Sequence, residues 1–338
     1  MRILYYSVHS VLEHDEVTLL RGLGHEVFPL GEYFDAELGQ GMRPMADPGP
    51  GHAALLERFH AEGCRFRRFS APEETVLTPG FLRLFDLVVV MHSAEFIEHH
   101  WEVLAGRPII LRTIGVGLPW REPRIAALRA GGVRVIRYAE SERHAPDYAG
   151  HDAVIRFAKD PAVFDGWRGD AAQALMFSMA FRERFPEECA LWEQIAPDMP
   201  MVLGGASNEG IPGAIGFQLP DQQMALLRES RAYLYCSGLP IPYTLNFIEA
   251  WMMGIPLLAL DPALVARPHG CTEWPGLISR GQDALVAREP LEARALLRHL
   301  LHDHDAARRI GQAGRARAIA LFGTAAIAPQ WQAALAWV

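Results

Sequence analysis

The 338-residue chain predicts an α/β protein of two successive domains, each a parallel sheet with helices on both faces, closed by a helical tail. Three observations carry that prediction. Short β-rich runs alternate with apolar-periodic stretches as far as Leu260. A turn-rich segment, Lys159–Asp170 (KDPAVFDGWRGD), interrupts the alternation midway, and the pattern restarts after it. The length suits two domains of roughly 100–200 residues, and a 50% hydrophobic composition supplies two cores.

Arg2–Ser7 (RILYYS) reads as the first strand, and Val11–Leu23 as an amphipathic helix stopped by Gly24. His25–Leu30 is a second strand. Gly31–Gly51, rich in Gly, Pro and Met, reads as a long excursion of the kind that often carries function. Asp86–Met91 (DLVVVM) is a continuous apolar run of buried parallel type, followed by a helix through Glu95–Leu104. Pro108–Arg112, a helix around Ile125–Ala130, Val133–Arg137 and Ala153–Phe157 complete the first half. In the second half, strands are expected at Ala174–Ala180, Met201–Leu203, Ala232–Cys236 and Leu257–Leu260, with helices at Arg184–Ile195, Asp221–Glu229 and Thr244–Met253. From Pro290 onward the chain reads as helix, ending in Trp331 and Trp337. The expected boundaries are 1–160, 161–320 and a terminal helix at 321–338 placed to pack back on the first domain.

Charge narrows the partners. The net charge of −8 divides as −5 up to Asp165 and −3 beyond it, so neither half has the basic excess of a duplex-binding protein. The patch Arg58, Arg65, Arg67 and Arg68 reads as a solvated face or, less simply, as a contact for an anionic acceptor. Of 32 basic residues only Lys159 is lysine, a bias that a GC-rich genome explains. Cys64, Cys189, Cys236 and Cys271 lie far apart with no CxxC pair, which suits reduced intracellular thiols. The N-terminus becomes charged too early for a secretory signal, and the longest apolar run, Ala250–Leu260, is too short for a bilayer. The expectation is a cytoplasmic protein with at most peripheral membrane association.

The most informative stretch is Ala232–Asp261 (AYLYCSGLPIPYTLNFIEAWMMGIPLLALD), read as strand, loop, helix, Gly-Ile-Pro stop and strand. The helix is apolar nearly all round and should be buried, yet it carries Glu249. A buried carboxylate needs a partner. Glu249 therefore either pairs with an internal arginine or accepts hydrogen bonds from a ligand. Ligands of open parallel sheets lie beyond the carboxyl ends of the strands, where a helix N-terminus favours anions. On that basis the amides of Tyr243, Thr244 and Leu245 are candidates for a phosphate.

The segment Phe247–Ala259, FIEAWMMGIPLLA, resembles the EAMxxGxPVVA pattern of family-four-type, group 1 glycosyltransferases with the GT-B fold. The opening RILYYS…LLRGLGHEVFPL, the strand FDLVVVMHSAEF, the segment VIRFAKDPAVF and the unit LPDQQMALLRESRAYLYCSG resemble other stretches of that family, in its order. The resemblance implies two Rossmann-like domains facing a cleft and transfer of a sugar from a nucleotide-diphosphate sugar, UDP- or GDP-linked, with no permanently bound cofactor. It assigns Glu249 to the donor ribose, Thr244 and Leu245 to the diphosphate, and Arg182 or Arg184 to the family's basic diphosphate contacts. His92 matches the histidine that contacts the transferred sugar, and Ser7–His9 takes the place of the substrate loop. His9 and Asp15 are candidate bases for an acceptor hydroxyl; the plainer reading of Asp15 is a first-turn helix carboxylate. Lys159 falls in the interdomain turn, either as an ordinary linker residue or as a cation able to reach a donor phosphate.

The sequence also departs from the pattern. Ile241 stands where the family carries its first glutamate, which leaves the stereochemical outcome open. The family's arginine–lysine pair and first-loop glycine pair are missing. Asp303-His304-Asp305 has a metal-binding D-x-D form but sits among tail helices, so it reads as a helix cap and no metal is expected. The expected acceptor is a glycan, a lipid-linked glycan or another small molecule. A 5-hydroxymethylated pyrimidine in DNA is the alternative acceptor, disfavoured by charge. A nucleotide-sugar-binding protein without transfer and a nucleotide-sugar epimerase are the rival functions.

Overall fold

The computed structural model describes residues 1–34, 43, 51–67, 71–115, 121–236, 241–265 and 271–338. They form two compact units, one of Met1–Ala158 with Ala325–Val338 and the other of Lys159–Thr324. Most of the Gly31–Gly51 excursion, together with Arg68, lies outside the described residues.

Unit 1 is a six-stranded parallel sheet of β1 (Arg2–Tyr6), β2 (Glu26–Leu30), β3 (Leu87–Met91), β4 (Ile109–Arg112), β5 (Arg134–Arg137) and β6 (Ala153–Val154), ordered β2-β1-β3-β4-β5-β6. All five residues of β3 are buried, as a central strand covered on both faces requires. Phe28, Phe59, Phe81 and Phe85 meet on one face with ring centroids 5.1–6.1 Å apart. The helix read at Glu95–Leu104 is two short helices, Ala94–His99 and Trp101–Leu104. They break at His100, whose buried ring lies 2.9 Å from the carbonyls of both Phe96 and Thr75. The helix His52–Ala61, which carries Arg58, was not read from the sequence; Arg58 pairs there with Glu62 at 2.7 Å.

The same sheet buries two arginines. Arg137 makes a two-pronged bond to Glu122 at 2.7 and 2.8 Å and lies 3.5 Å from Glu142. Arg112 donates to Glu16 at 2.8 Å and to the Arg137 carbonyl at 3.0 Å, and Glu16 also receives the Tyr5 hydroxyl at 2.6 Å. The Arg112 guanidinium lies 4.9 Å from the Phe157 ring and 5.9 Å from that of Trp331, a buried residue of the Thr324–Leu335 helix. Such charges are tolerated inside a fold only with partners this close.

Unit 2 is a five-stranded parallel sheet of β7 (Ala171–Phe177), β8 (Met201–Gly204), β9 (Ser230–Tyr235), β10 (Leu257–Leu260) and β11 (Leu285–Ala287), ordered β11-β10-β9-β7-β8. The Leu245–Met253 helix ends on Gly254 at φ +85, a left-handed conformation that glycine adopts at no steric cost. The His304–Phe322 helix packs on it through Gly311, where an added Cβ would stand 2.1 Å from the Gly254 carbonyl oxygen. The two ends of unit 2 are tied together. The Lys159 amide donates to Phe322 O at 2.8 Å, and the Thr324 amide donates to Lys159 O at 3.1 Å.

Asp303 caps the His304–Phe322 helix, its Oδ1 accepting from the Ala306 amide at 2.8 Å. The four cysteines are buried and none is disulfide-bonded. Among the described residues no helix is long and apolar enough to cross a membrane.

Candidate functional site

Strand order reverses once in each unit, between β1 and β3 in unit 1 and between β7 and β9 in unit 2. At such switch points the connections leave in opposite directions and open a crevice at the carboxyl ends of the strands. Most of the candidate side chains stand on these two edges.

In unit 2, β9 leads through residues 236–243 to Thr244, which caps the Leu245–Met253 helix with Oγ1 accepting from the Phe247 amide at 3.2 Å. The Thr244 amide is committed to the Tyr235 hydroxyl at 3.3 Å. Tyr243 is buried against Phe322, with ring centroids 5.2 Å apart. Of the three amides expected at a phosphate, the structure therefore brings Leu245 to the helix mouth, together with that of Asn246. A first helical turn has no intrahelical acceptor for these amides. The Asn246 side chain crosses the switch point and donates to Phe177 O, at the end of β7, at 2.8 Å. The helix N-terminus is thereby pinned to the neighbouring strand exit.

Glu249 lies in the middle of this helix, 8% exposed. A lysine, which neither reading of the sequence named, stands beside it: Lys159 Nζ is 2.6 Å from Oε1. Lys159 is itself 1% exposed, with its ammonium 5.6 Å from the Phe164 ring, so it is neither a solvated linker residue nor an exposed cation. Local sequence could not show this pair, because 90 residues separate its members.

The two arginines after β7 part company. The helix expected from Arg184 is two helices, Phe181–Arg184 and Pro186–Ile195, since Pro186 has no N–H to continue the first. Both arginines are exposed. Arg182 pairs with Glu193 at 2.5 Å, which holds its guanidinium above the usual range. Arg184 donates to Met179 O in the β7 exit loop at 3.4 Å and lies 4.9 Å from the Phe185 ring.

In unit 1, Ser7 follows β1 and lies beside the end of β3, with Oγ 3.5 Å from Met91 Sδ. His9 caps the Ser10–Gly22 helix, its Nδ1 accepting from the Leu12 amide at 3.4 Å. His92, the residue after β3, has φ +73. Its Nδ1 lies 2.9 Å from Ile114 O, and since a carbonyl only accepts, that nitrogen carries the proton. Nε2 is then an acceptor, 2.5 Å from Arg121 Nη2. Burial and the Arg121 guanidinium push the imidazole pKa down to about 4, with a smaller contribution from nearby His9. Beneath His92 is a cavity of ≈ 20 Å³ lined by Thr113, Arg121, Glu122, Arg137 and Glu142, room for about one water.

Asp15 is set apart from this pair of histidines. It lies 3.4 Å from His14 Nδ1, and its charge is felt at Tyr33, whose hydroxyl is driven up chiefly by burial and Glu13. Sequence reasoning assigned no role to two neighbours. Arg121 had no recognisable motif. Glu13, fully buried, accepts the amides of Glu32 and Tyr33 at 2.8 and 3.1 Å and so anchors the exit of β2.

Residues 188–333 match a family model described as glycosyl transferase-like. That span holds β8 to β11 and the helix bearing Glu249. This match spans less than half of the chain. No curated protein matches it in sequence. Its fold is that of solved GT-B structures. A sucrose-phosphate synthase from Thermosynechococcus elongatus superposes with a TM-score of 0.65 at 16% identity, covering 100% of this chain and 98% of that one. HepE from Anabaena, solved in complex with UDP-glucose, gives 0.64 at 14% identity and 100% coverage of both chains. A glycosyltransferase from Rickettsia africae gives 0.65 at 13% identity, covering 98% and 97%. Ile241, half-buried, stands eight residues before Glu249.

Proposed function

We propose that the chain is a glycosyltransferase that takes its sugar from a UDP- or GDP-linked donor held by unit 2 and passes it to a hydroxyl of a glycan or lipid-linked glycan presented by unit 1. The observation that carries this reading is the Leu245–Met253 helix. Its N-terminal amides stand at the switch point of unit 2, and Glu249 lies about one turn further along the same element. Amides and helix dipole suit a diphosphate, and a carboxylate suits a ribose diol. Leu245, Asn246 and Arg184 would hold the diphosphate and Glu249 the ribose.

In this reading Arg184 and the helix dipole stabilise the leaving diphosphate, with no metal required. His92 is neutral at physiological pH, so its Nε2 accepts a hydrogen bond from a sugar hydroxyl in place of the one from Arg121. His9 lies on the same edge, whereas Asp15 belongs to the His14–Tyr33 side and is the weaker candidate for a base. We place the protein in the cytoplasm, where nucleotide sugars are available, and do not assign DNA as a partner, because the −8 charge opposes phosphate-backbone binding.

The test is ligand-induced stabilisation of the purified chain by UDP-, GDP-, ADP- and dTDP-sugars in excess EDTA, with Glu249→Ala as the control. A ligand present at 100 times its Kd stabilises the native state by about 2.7 kcal/mol. A shift with one UDP- or GDP-sugar that survives EDTA and is lost in the variant is the expected result.

A further inference from the structure

The neighbouring strands β7 and β8 stay paired beyond their ends, where the Ser178 amide donates to Gly204 O and the Ala180 amide to Ala206 O, both at 2.9 Å. The Asn208 side chain, 2% exposed, ties these two exit loops together. Its Oδ1 accepts from the Phe181 amide at 2.8 Å, and its Nδ2 donates to Ser178 O at 2.6 Å and to Gly205 O at 3.0 Å. One amide group thus serves the start of the Phe181–Arg184 helix with its acceptor and both loops with its donors. Gly205 makes the close approach possible: an added Cβ would stand 2.0 Å from Ser178 O.

The Phe181–Arg184 helix is a single turn of four residues, too short to hold its own conformation. It starts from Ala180 at φ +47, a backbone that a non-glycine residue keeps only where its surroundings impose it. Here they do so from two sides, through the buried Phe181 ring and through Asn208. Arg184 is rooted in that turn. Its amide donates to Ala180 O at 2.9 Å and its Nη1 to Met179 O at 3.4 Å, so both ends of the residue bond to the segment that Asn208 clamps.

We propose that Asn208 is a positioning residue for the donor diphosphate: by fixing the Ser178–Phe181 turn it holds the Arg184 guanidinium at the exit of β7, the strand end to which Asn246 pins the Leu245–Met253 helix. A cation held in place before binding has less freedom to lose when the anion arrives. Asparagine suits the task because its amide both accepts and donates. An aspartate would turn only acceptors toward two carbonyl oxygens, and a serine hydroxyl is too short to reach both loops.

This inference rests on the assignment of Arg184 to the donor diphosphate, and its experiment separates the two. Calorimetric titration of the full-length protein with UDP, UMP, GDP and GMP gives the affinity of each diphosphate relative to its monophosphate. For the preferred nucleotide that ratio is expected to be about tenfold or more, the effect of a charge-assisted contact to the second phosphate. Absence of binding by either diphosphate, a wild-type ratio near one, or an unchanged ratio in Arg184→Ala overturns the assignment of Arg184 itself. Asn208→Ala should lower the ratio at least about threefold, and should leave it unchanged when Arg184→Ala is already present, because the effect runs through that arginine. An asparagine that only supports the fold would weaken diphosphate and monophosphate alike and leave the ratio as it was. Asn208→Ser keeps a polar group and covers the case in which the Ala variant does not fold; the same fall in the ratio is expected. A wild-type ratio in either folded Asn208 variant, or an equal fall with and without Arg184, overturns the role of Asn208, while a ratio lost in Arg184→Ala leaves that of Arg184 standing.

Discussion

His92→Asn removes the imidazole while keeping a residue that tolerates the left-handed backbone found there at φ +73. The folded-state pKa of His92 is about 4, against roughly 6.5 for an unfolded histidine. Between those values the unfolded chain binds the proton and the folded chain does not, so stability rises with pH and is lost as pH falls. Worked through the linkage relation, the single group removes about 2 kcal/mol of stability between pH 7 and pH 5. At pH 7 the variant should lie within about 1 kcal/mol of the wild type, having lost one hydrogen bond to Ile114 O. At pH 5 that balance should move by about 2 kcal/mol in favour of the variant, because asparagine does not titrate. Urea unfolding of both proteins at the two pH values, followed on the transition that includes unit 1, makes the comparison. Equal pH dependence in the two proteins would refute the reasoning, since it would mean that His92 titrates normally in the folded state.

Two further predictions follow from other parts of the molecule. Arg137→Met leaves Glu122 and Glu142 buried without their shared cation and should destabilise unit 1 by about 3–5 kcal/mol, read from its denaturant midpoint. Arg184→Ala should weaken nucleoside-diphosphate binding about tenfold while Arg182→Ala leaves it unchanged, because Arg182 is spent on Glu193; titration calorimetry on the two variants decides.

Much of the architecture was legible because the sequence punctuates it strongly. The continuous run at β3 has no alternative as a solvent-facing strand, and Gly254 with Pro256 leaves the Leu245–Met253 helix one place to end. Short elements were harder. β11 is three residues long and lies in a turn-rich stretch, and β6 is a two-residue edge pairing where a five-residue strand was read. The candidate site was half legible. Thr244 as a cap and Glu249 as a buried carboxylate needing a partner follow from local pattern and burial. That the partner is Lys159 follows only from the folded chain, since the contact depends on where unit 2 begins and on how its last helix returns to that point. The roles of Glu13 and Arg121 were not legible for the same reason, because their partners come from other elements.

The central claim is that the donor nucleotide binds unit 2 through Glu249. Calorimetric titration of UDP and GDP into the wild-type protein and Glu249→Ala, in EDTA, tests it most directly. Loss of the ribose hydrogen bonds to a charged group, about 1.5–3 kcal/mol each for two hydroxyls, should lower the affinity of the preferred nucleotide at least a hundredfold. Circular dichroism would confirm that the variant remains folded without the Lys159–Glu249 pair. An unchanged affinity in a folded Glu249→Ala protein would contradict the account.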